Sequence, residues 1–204
     1  MTTAPVRDPL ADHLITPQNA ALLLIDYQPQ QLTAVRSMDR ALMVKNAVST
    51  VRTSKAFGVP VVHSTVNVAS GREQPTIPEL ADLVADDKPL DRTTINSWED
   101  VEFVQAVHAT GRRKLIICAL WTEMCMAFVA LDALREGYEI YPVTDAIGGT
   151  SPESHRVGLD RVIQAGGQPV TWVSLAGELL RDWARPEAAA VAEIVVTDRL
   201  AKEQ

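Results

Sequence analysis

The sequence predicts an α/β fold, a three-layer α/β/α sandwich around a six-stranded, mostly parallel, Rossmann-like sheet. Three observations carry this. Short apolar runs recur along the chain with amphipathic segments between them, which is a repeated βα alternation. The runs are apolar nearly throughout instead of alternating, so both faces are covered, as in a parallel sheet between two helical layers. A glycine closes each amphipathic segment, where a left-handed helix end favours a residue without a Cβ.

In chain order the strands are "AALLLID" (20–26), "VPVVHST" (59–65), "KLIICAL" (114–120), "YEIYPVTD" (138–145) and "QPVTWVS" (168–174). A weaker strand is "DKPLDR" (87–92), whose proline suits a sheet edge because it cannot donate to a ladder. Helices are predicted at about 39–57, 100–110, 122–136 and 153–165, closed by Gly58, Gly111, Gly137 and Gly166. The tail "PEAAAVAEIVVTDRLAKEQ" reads as a terminal helix. No repeat or linker divides the 204 residues, so one domain over 1–204 is expected, with a core at about 18–183 and a C-terminal extension at 186–204.

Composition narrows the function. The net charge is −7 and the 19 basic residues are scattered, so no basic stripe exists to attract nucleic acid or anionic lipid. No apolar run approaches the roughly 20 residues that cross a bilayer, and the N-terminus lacks the pattern of a secretory signal; a cytoplasmic protein is expected. The two cysteines, Cys118 and Cys125, match no disulfide or zinc spacing.

In such a sheet ligands bind beyond the carboxyl ends of the strands. Asp26 ends the first strand, and Cys125 follows "KLIICAL" through the turn "WTEM". If Thr122 caps the next helix, Cys125 lies in its first turn, where free N–H groups and the helix dipole favour a thiolate. Cys118, in mid-strand, reads as a small buried hydrophobe. A dinucleotide site would need a glycine-rich loop after the first strand; "YQPQQL" stands there instead.

The segments "ALLLIDYQ" and "LIICALWTEMCMAFVALDALREGYEIYPVTDAIGG" resemble the isochorismatase-like cysteine hydrolases, a family that includes nicotinamidases and N-carbamoyl amide hydrolases. "RTTINSWED", "LWTEMC" and "AGGQPVTW" are most similar to its YcaC-related subgroup, and the similarity spans about 18–183. The resemblance implies a catalytic triad of aspartate, lysine and cysteine. Asp26 and Cys125 match it; Arg92 stands where the lysine is usual, with Lys88 as a rival. It further implies a non-proline cis peptide at Leu120–Trp121, an oxyanion hole from the amides of Trp121 and Cys125, and a substrate pocket that includes Trp121, Asn96 and Trp98.

The implied reaction is hydrolysis of a small amide or carbamoyl C–N bond through a thioester. No cofactor and no metal are expected: the region from the end of the second strand onward, "HSTVNVASGREQPTIPEL", carries His63 as its single histidine, and one histidine does not make a site. His63, His108 and His155 are expected to be structural or exposed. The resemblance, together with Trp183 and the apolar series beyond Pro186, implies a homo-oligomer, even-numbered with an octamer as one form, in which the C-terminal segment covers a neighbouring subunit; the alternative for the tail is that it folds back on its own subunit. The alternative is a diverged member acting as an oligomeric binding or assembly protein.

Overall fold

The structure, a computed structural model, describes residues 5–200, and for 197–200 the backbone alone; the end of the expected C-terminal extension, 201–204, lies outside the described residues. Five strands form one sheet: β1 (Ala20–Ile25), β2 (Val61–Val66), β3 (Leu90–Arg92), β4 (Lys114–Ala119) and β5 (Glu139–Pro142). The order is β3-β2-β1-β4-β5 and every pairing is parallel. Of the run expected at 87–92, Leu90–Arg92 pairs as the edge strand β3, with Pro89 just before it.

β1 is buried at every position, and its side chains alternate between two cores. Leu22 and Leu24 join a cluster with Met43 and Val51 of α2 (Arg40–Ala56) and Leu175 and Leu179 of α7 (Trp172–Leu180). Leu23 and Ile25 join Phe103 of α4 (Val101–Ala109) and Val129 of α5 (Ala127–Arg135). These two cores make the three layers. The main helices begin on side chains that accept the orphan N–H groups of the first turn: Asp39 from Leu42 at 2.8 Å, Asp100 from Phe103 at 2.9 Å, and Ser151 from Ser154 at 3.0 Å at the start of α6 (Pro152–Gln164). Gly58, Gly111, Gly137 and Gly166 all have positive φ, as the helix-end reading requires.

The sixth strand expected at 168–174 is a correction. Only Val170 bridges, to Val143, and the chain then enters α7. Pro169 has no N–H to give, and Thr171 caps the helix instead: its Oγ1 accepts from Ser174 N while Ser174 Oγ accepts from Thr171 N. A second correction concerns the tail. The last helix, α8 (Ala188–Leu200), packs on α2 of its own chain, burying Val191 and Ile194, so it does not need a neighbour to cover them.

Candidate active site

The strand order reverses between β1 and β4, and this switch point places Asp26 and Cys125 side by side at the carboxyl edge. Asp26 leaves β1 with φ 61°, a left-handed conformation that aspartate tolerates better than most residues. Its amide donates to Ser64 O at 3.0 Å, which ties the turn to β2.

Arg92 closes β3 and points back across the sheet edge. Its two terminal nitrogens donate to the two oxygens of Asp26, each at 2.7 Å, in a parallel fork. The same nitrogens reach Thr65 O at 3.0 Å, Ser64 Oγ at 3.3 Å and Ile95 O at 3.2 Å. The pair is sealed, with side-chain exposures of 1% for Arg92 and 0% for Asp26. Burial opposes the guanidinium charge, but Asp26 outweighs it and holds Arg92 above its ordinary pKa. Arg92 therefore stays charged, while Lys88 is exposed to solvent.

Cys125 is buried in the core that contains Leu23, Ile25 and Trp98. Its thiol is pushed up to about 12, first by burial and then by the negative charge of Asp26; Arg92 and the Trp121 backbone pull the other way without prevailing. The expected helix-start thiolate is thus a correction. Residues Thr122–Met126 form a single π turn, α5 proper begins only at Ala127, and Thr122 is no cap. Its hydroxyl instead meets His155 Nδ1 at 2.8 Å. The resting thiol is neutral and needs a base.

The peptide Leu120–Trp121 is cis, as the resemblance implied. Trp121 is half-buried at this turn, with its indole donating to Gln31 O at 2.8 Å. Trp98 packs in the Cys125 cluster, but its indole N–H turns to Glu136 at 2.7 Å. Asn96 faces α5: Nδ2 donates to Asp132 at 2.7 Å and Oδ1 accepts from Trp98 N at 3.0 Å. The polar atoms of both side chains are spent away from the Asp26–Cys125 pair. Cys118 lies in the opposite core, its thiol pushed far up by burial and then by Asp145. His63 bonds Thr76 at 2.7 Å and Asp87 O at 3.3 Å, and burial holds it below its ordinary pKa.

Sequence reasoning missed what fixes the nucleophile turn. Glu123 accepts from the amide and hydroxyl of Thr150, at 3.0 and 2.5 Å, while Thr122 N donates to Gly148 O at 3.0 Å. From α6, Gly158 lies so near that a Cβ there would fall 2.8 Å from Glu123 Cα. A glycine inside a helical pattern was the one available signal of this approach.

The chain belongs to the isochorismatase family: the family model described as the Isochorismatase domain matches residues 20–174. It is 38% identical over 166 residues to the probable hydrolase YcaC of Escherichia coli, covering 81% of this chain and 79% of that protein. The crystal structure of E. coli YcaC, described as an octameric hydrolase of unknown specificity, superposes with a TM-score of 0.86 at 33% identity over 98% of this chain and 97% of that one. YcaC of Pseudomonas aeruginosa, seen with hexane-2,5-diol and covalent acrylamide, gives 0.82 at 30% identity over 91% and 96%. The protein is an isochorismatase-family hydrolase.

Proposed function

We propose that this hydrolase cleaves a small amide or carbamoyl C–N bond through a thioester formed on Cys125. The observation that carries the reading is the buried carboxylate–guanidinium pair beside a buried neutral thiol, at the edge where this fold binds ligands. Asp26 takes the thiol proton as sulfur bonds to the substrate carbonyl, so no free thiolate is built before attack. The carbonyl oxygen gains the electron pair and rests on the amides of Trp121 and Cys125. Collapse of the intermediate expels the amine, which leaves with the proton returned by Asp26. Water, deprotonated by the same carboxylate, then hydrolyses the thioester. Arg92 takes no proton; it fixes the carboxylate plane and balances its charge.

The P. aeruginosa relative is described with covalent acrylamide, which takes up a nucleophile at its C=C bond and keeps its amide intact, so this supports a reactive nucleophile in that protein. The octameric state described for E. coli YcaC, together with exposed Ile95, Val101 and Trp183, supports a homo-oligomer here. The proposal extends to a single domain over the whole chain and to catalysis without a metal. A screen of small amides, carbamoyl compounds and hydroxamates beside Cys125→Ala tests the reading. Turnover by the wild type and none by Cys125→Ala is expected; turnover surviving in Cys125→Ala overturns the cysteine mechanism, and none in either favours the binding or assembly alternative.

A further inference from the structure

The π turn that carries Cys125 is closed where Ala127 N donates to Thr122 O and Met124 O, so Thr122 is the base on which the cysteine stands. Thr122 is sealed from solvent, and among the described residues its hydroxyl has one partner, His155 Nδ1 at 2.8 Å. The turn's other hydrogen bonds to the 148–155 segment run from Thr122 N to Gly148 O and from Thr150 to Glu123. Of these ties, the imidazole is the one whose ordinary titration lies near neutrality. Glu123 adds an unspent acceptor beside it. Its Oε1 is taken by Thr150, whereas Oε2 is shielded from solvent and has no hydrogen-bond partner. A Cβ on Gly149 would lie 2.6 Å from that oxygen and 3.0 Å from His155 Cβ, so the carboxylate and the histidine converge on one point that only a glycine leaves open. The other charges nearby are engaged or exposed. Glu153, Arg156 and Asp160 of α6 pair with one another, and Arg161 lies over the Phe128 ring. Asp132 of α5 bonds Asn96, Arg135 is exposed, and Arg36, just past α1 (Pro29–Ala34), donates to Thr33 O and Val35 O. Burial holds His155 below its ordinary pKa, and the Glu123 charge opposes it.

We infer that His155 is the positioning residue of the nucleophile turn: its neutral ring accepts the Thr122 hydroxyl proton and keeps Cys125 in its buried place, whereas its charged ring releases Thr122, turns to Glu123 Oε2 and frees the turn. An imidazolium carries hydrogens on both nitrogens and accepts nothing, so the Thr122 hydroxyl proton loses its acceptor in a place that water does not reach. Glu123 Oε2 is the acceptor that the new N–H would take. Because burial depresses the histidine, the bond to Thr122 is intact at and above its ordinary pKa and is lost as the pH falls below it. As a statement about catalysis this rests on Cys125 being the nucleophile; the coupling of His155 to the turn does not.

The test reads Cys125 without requiring turnover. The protein is treated with methyl methanethiolsulfonate at pH 8 and pH 5: a sulfur–sulfur bond forms to the cysteine, the reagent's own sulfur–sulfur bond breaks, methanesulfinate leaves, and the thiol proton goes to solvent. Rates are divided by those of 2-mercaptoethanol at the same pH, which removes the shared dependence on thiolate fraction, and labelling is located by mass spectrometry. A freed turn admits water and reagent to a thiol that burial had held down. The divided rate at Cys125 should therefore be at least about fivefold higher at pH 5 than at pH 8 in the wild type, with Cys118, in the opposite core, still protected. His155→Asn, whose amide oxygen accepts from Thr122 but which cannot charge, should keep the wild-type pH 8 value at both pH values. His155→Leu, which offers no acceptor, should label fast at both. His63→Asn, which removes the buried histidine that also senses Asp26, should behave as the wild type does. A flat wild-type ratio, the same rise in His155→Asn, its loss in His63→Asn, equal exposure of Cys118, or slow labelling of His155→Leu with an intact thermal transition overturns the inference. Amide hydrolysis measured in parallel reports on the proposed reaction separately: absent turnover sinks that reading while the labelling still decides the role of His155.

Discussion

Replacing Arg92 with methionine removes the cation from a pair that has no access to water. Asp26 would lose both 2.7 Å bonds at once, and with 0% side-chain exposure it could not recover them from solvent. Stranding one partner of a buried pair costs about 3–5 kcal/mol. For a chain of 204 residues, where each kcal/mol moves the melting midpoint by about 2–4 °C, that is a fall of roughly 6–20 °C. Asp26→Asn should also destabilise, because it strands the guanidinium. The double variant Asp26→Asn/Arg92→Met should recover most of the loss, since removing both charges removes the unpaired one. Urea denaturation at pH 7.5 and one fixed protein concentration, which holds any subunit dissociation constant, measures all four proteins. A cost below about 1 kcal/mol for Arg92→Met, the size seen for exposed pairs, would refute the claim that this pair is sealed and structurally coupled.

Three further outcomes are expected. Because the Cys125 thiol is held near 12, the thiolate fraction grows tenfold per pH unit below that point, so iodoacetamide labelling should rise with unit slope from pH 7 to 10; a plateau below pH 9 would mean a preformed thiolate. Gly158→Ala should slow turnover and lower stability, since its methyl would sit 2.8 Å from the backbone of the nucleophile turn; an enzyme with wild-type kcat would show that this approach does not hold Cys125 in place. Truncation after Arg185 should destabilise the chain by about 2–5 kcal/mol through loss of Val191 and Ile194 from the core, with the oligomer retained at sedimentation equilibrium; dissociation without destabilisation would place the tail on a neighbour instead.

The legible part of the site was its chain positions. An apolar run that ends at Asp26, the weaker strand "DKPLDR" that ends at Arg92, and an apolar run that precedes Cys125 put three groups at or just past strand ends, and a parallel sheet gathers strand ends at one edge. Which cation pairs with Asp26 was decided by reach: Arg92 is the last residue of β3, whereas Lys88 precedes the strand and faces solvent. The protonation state of Cys125 was not legible. Local position at a helix start argued for a thiolate, but the larger influences are burial and Asp26, which act through space and leave no pattern near the cysteine. The 168–174 run misled because "PVTWV" satisfies strand composition, and only the Thr171–Ser174 capping pair revealed the competing helix. The bonds from Glu123 to Thr150 and from Thr122 to His155 span 27 and 33 residues and depend wholly on how α6 docks.

The central claim is a covalent acyl-enzyme built by Asp26 on Cys125, and rapid-quench mass spectrometry of the protein with a turned-over amide tests it most directly. A burst of protein carrying the acyl mass on Cys125 alone is expected, decaying as product appears, with a rate of formation cut by at least about a thousandfold in Asp26→Asn, the scale of lost proton transfer. Product formed with no acyl mass on Cys125, or Asp26→Asn within tenfold of the wild type, would contradict it.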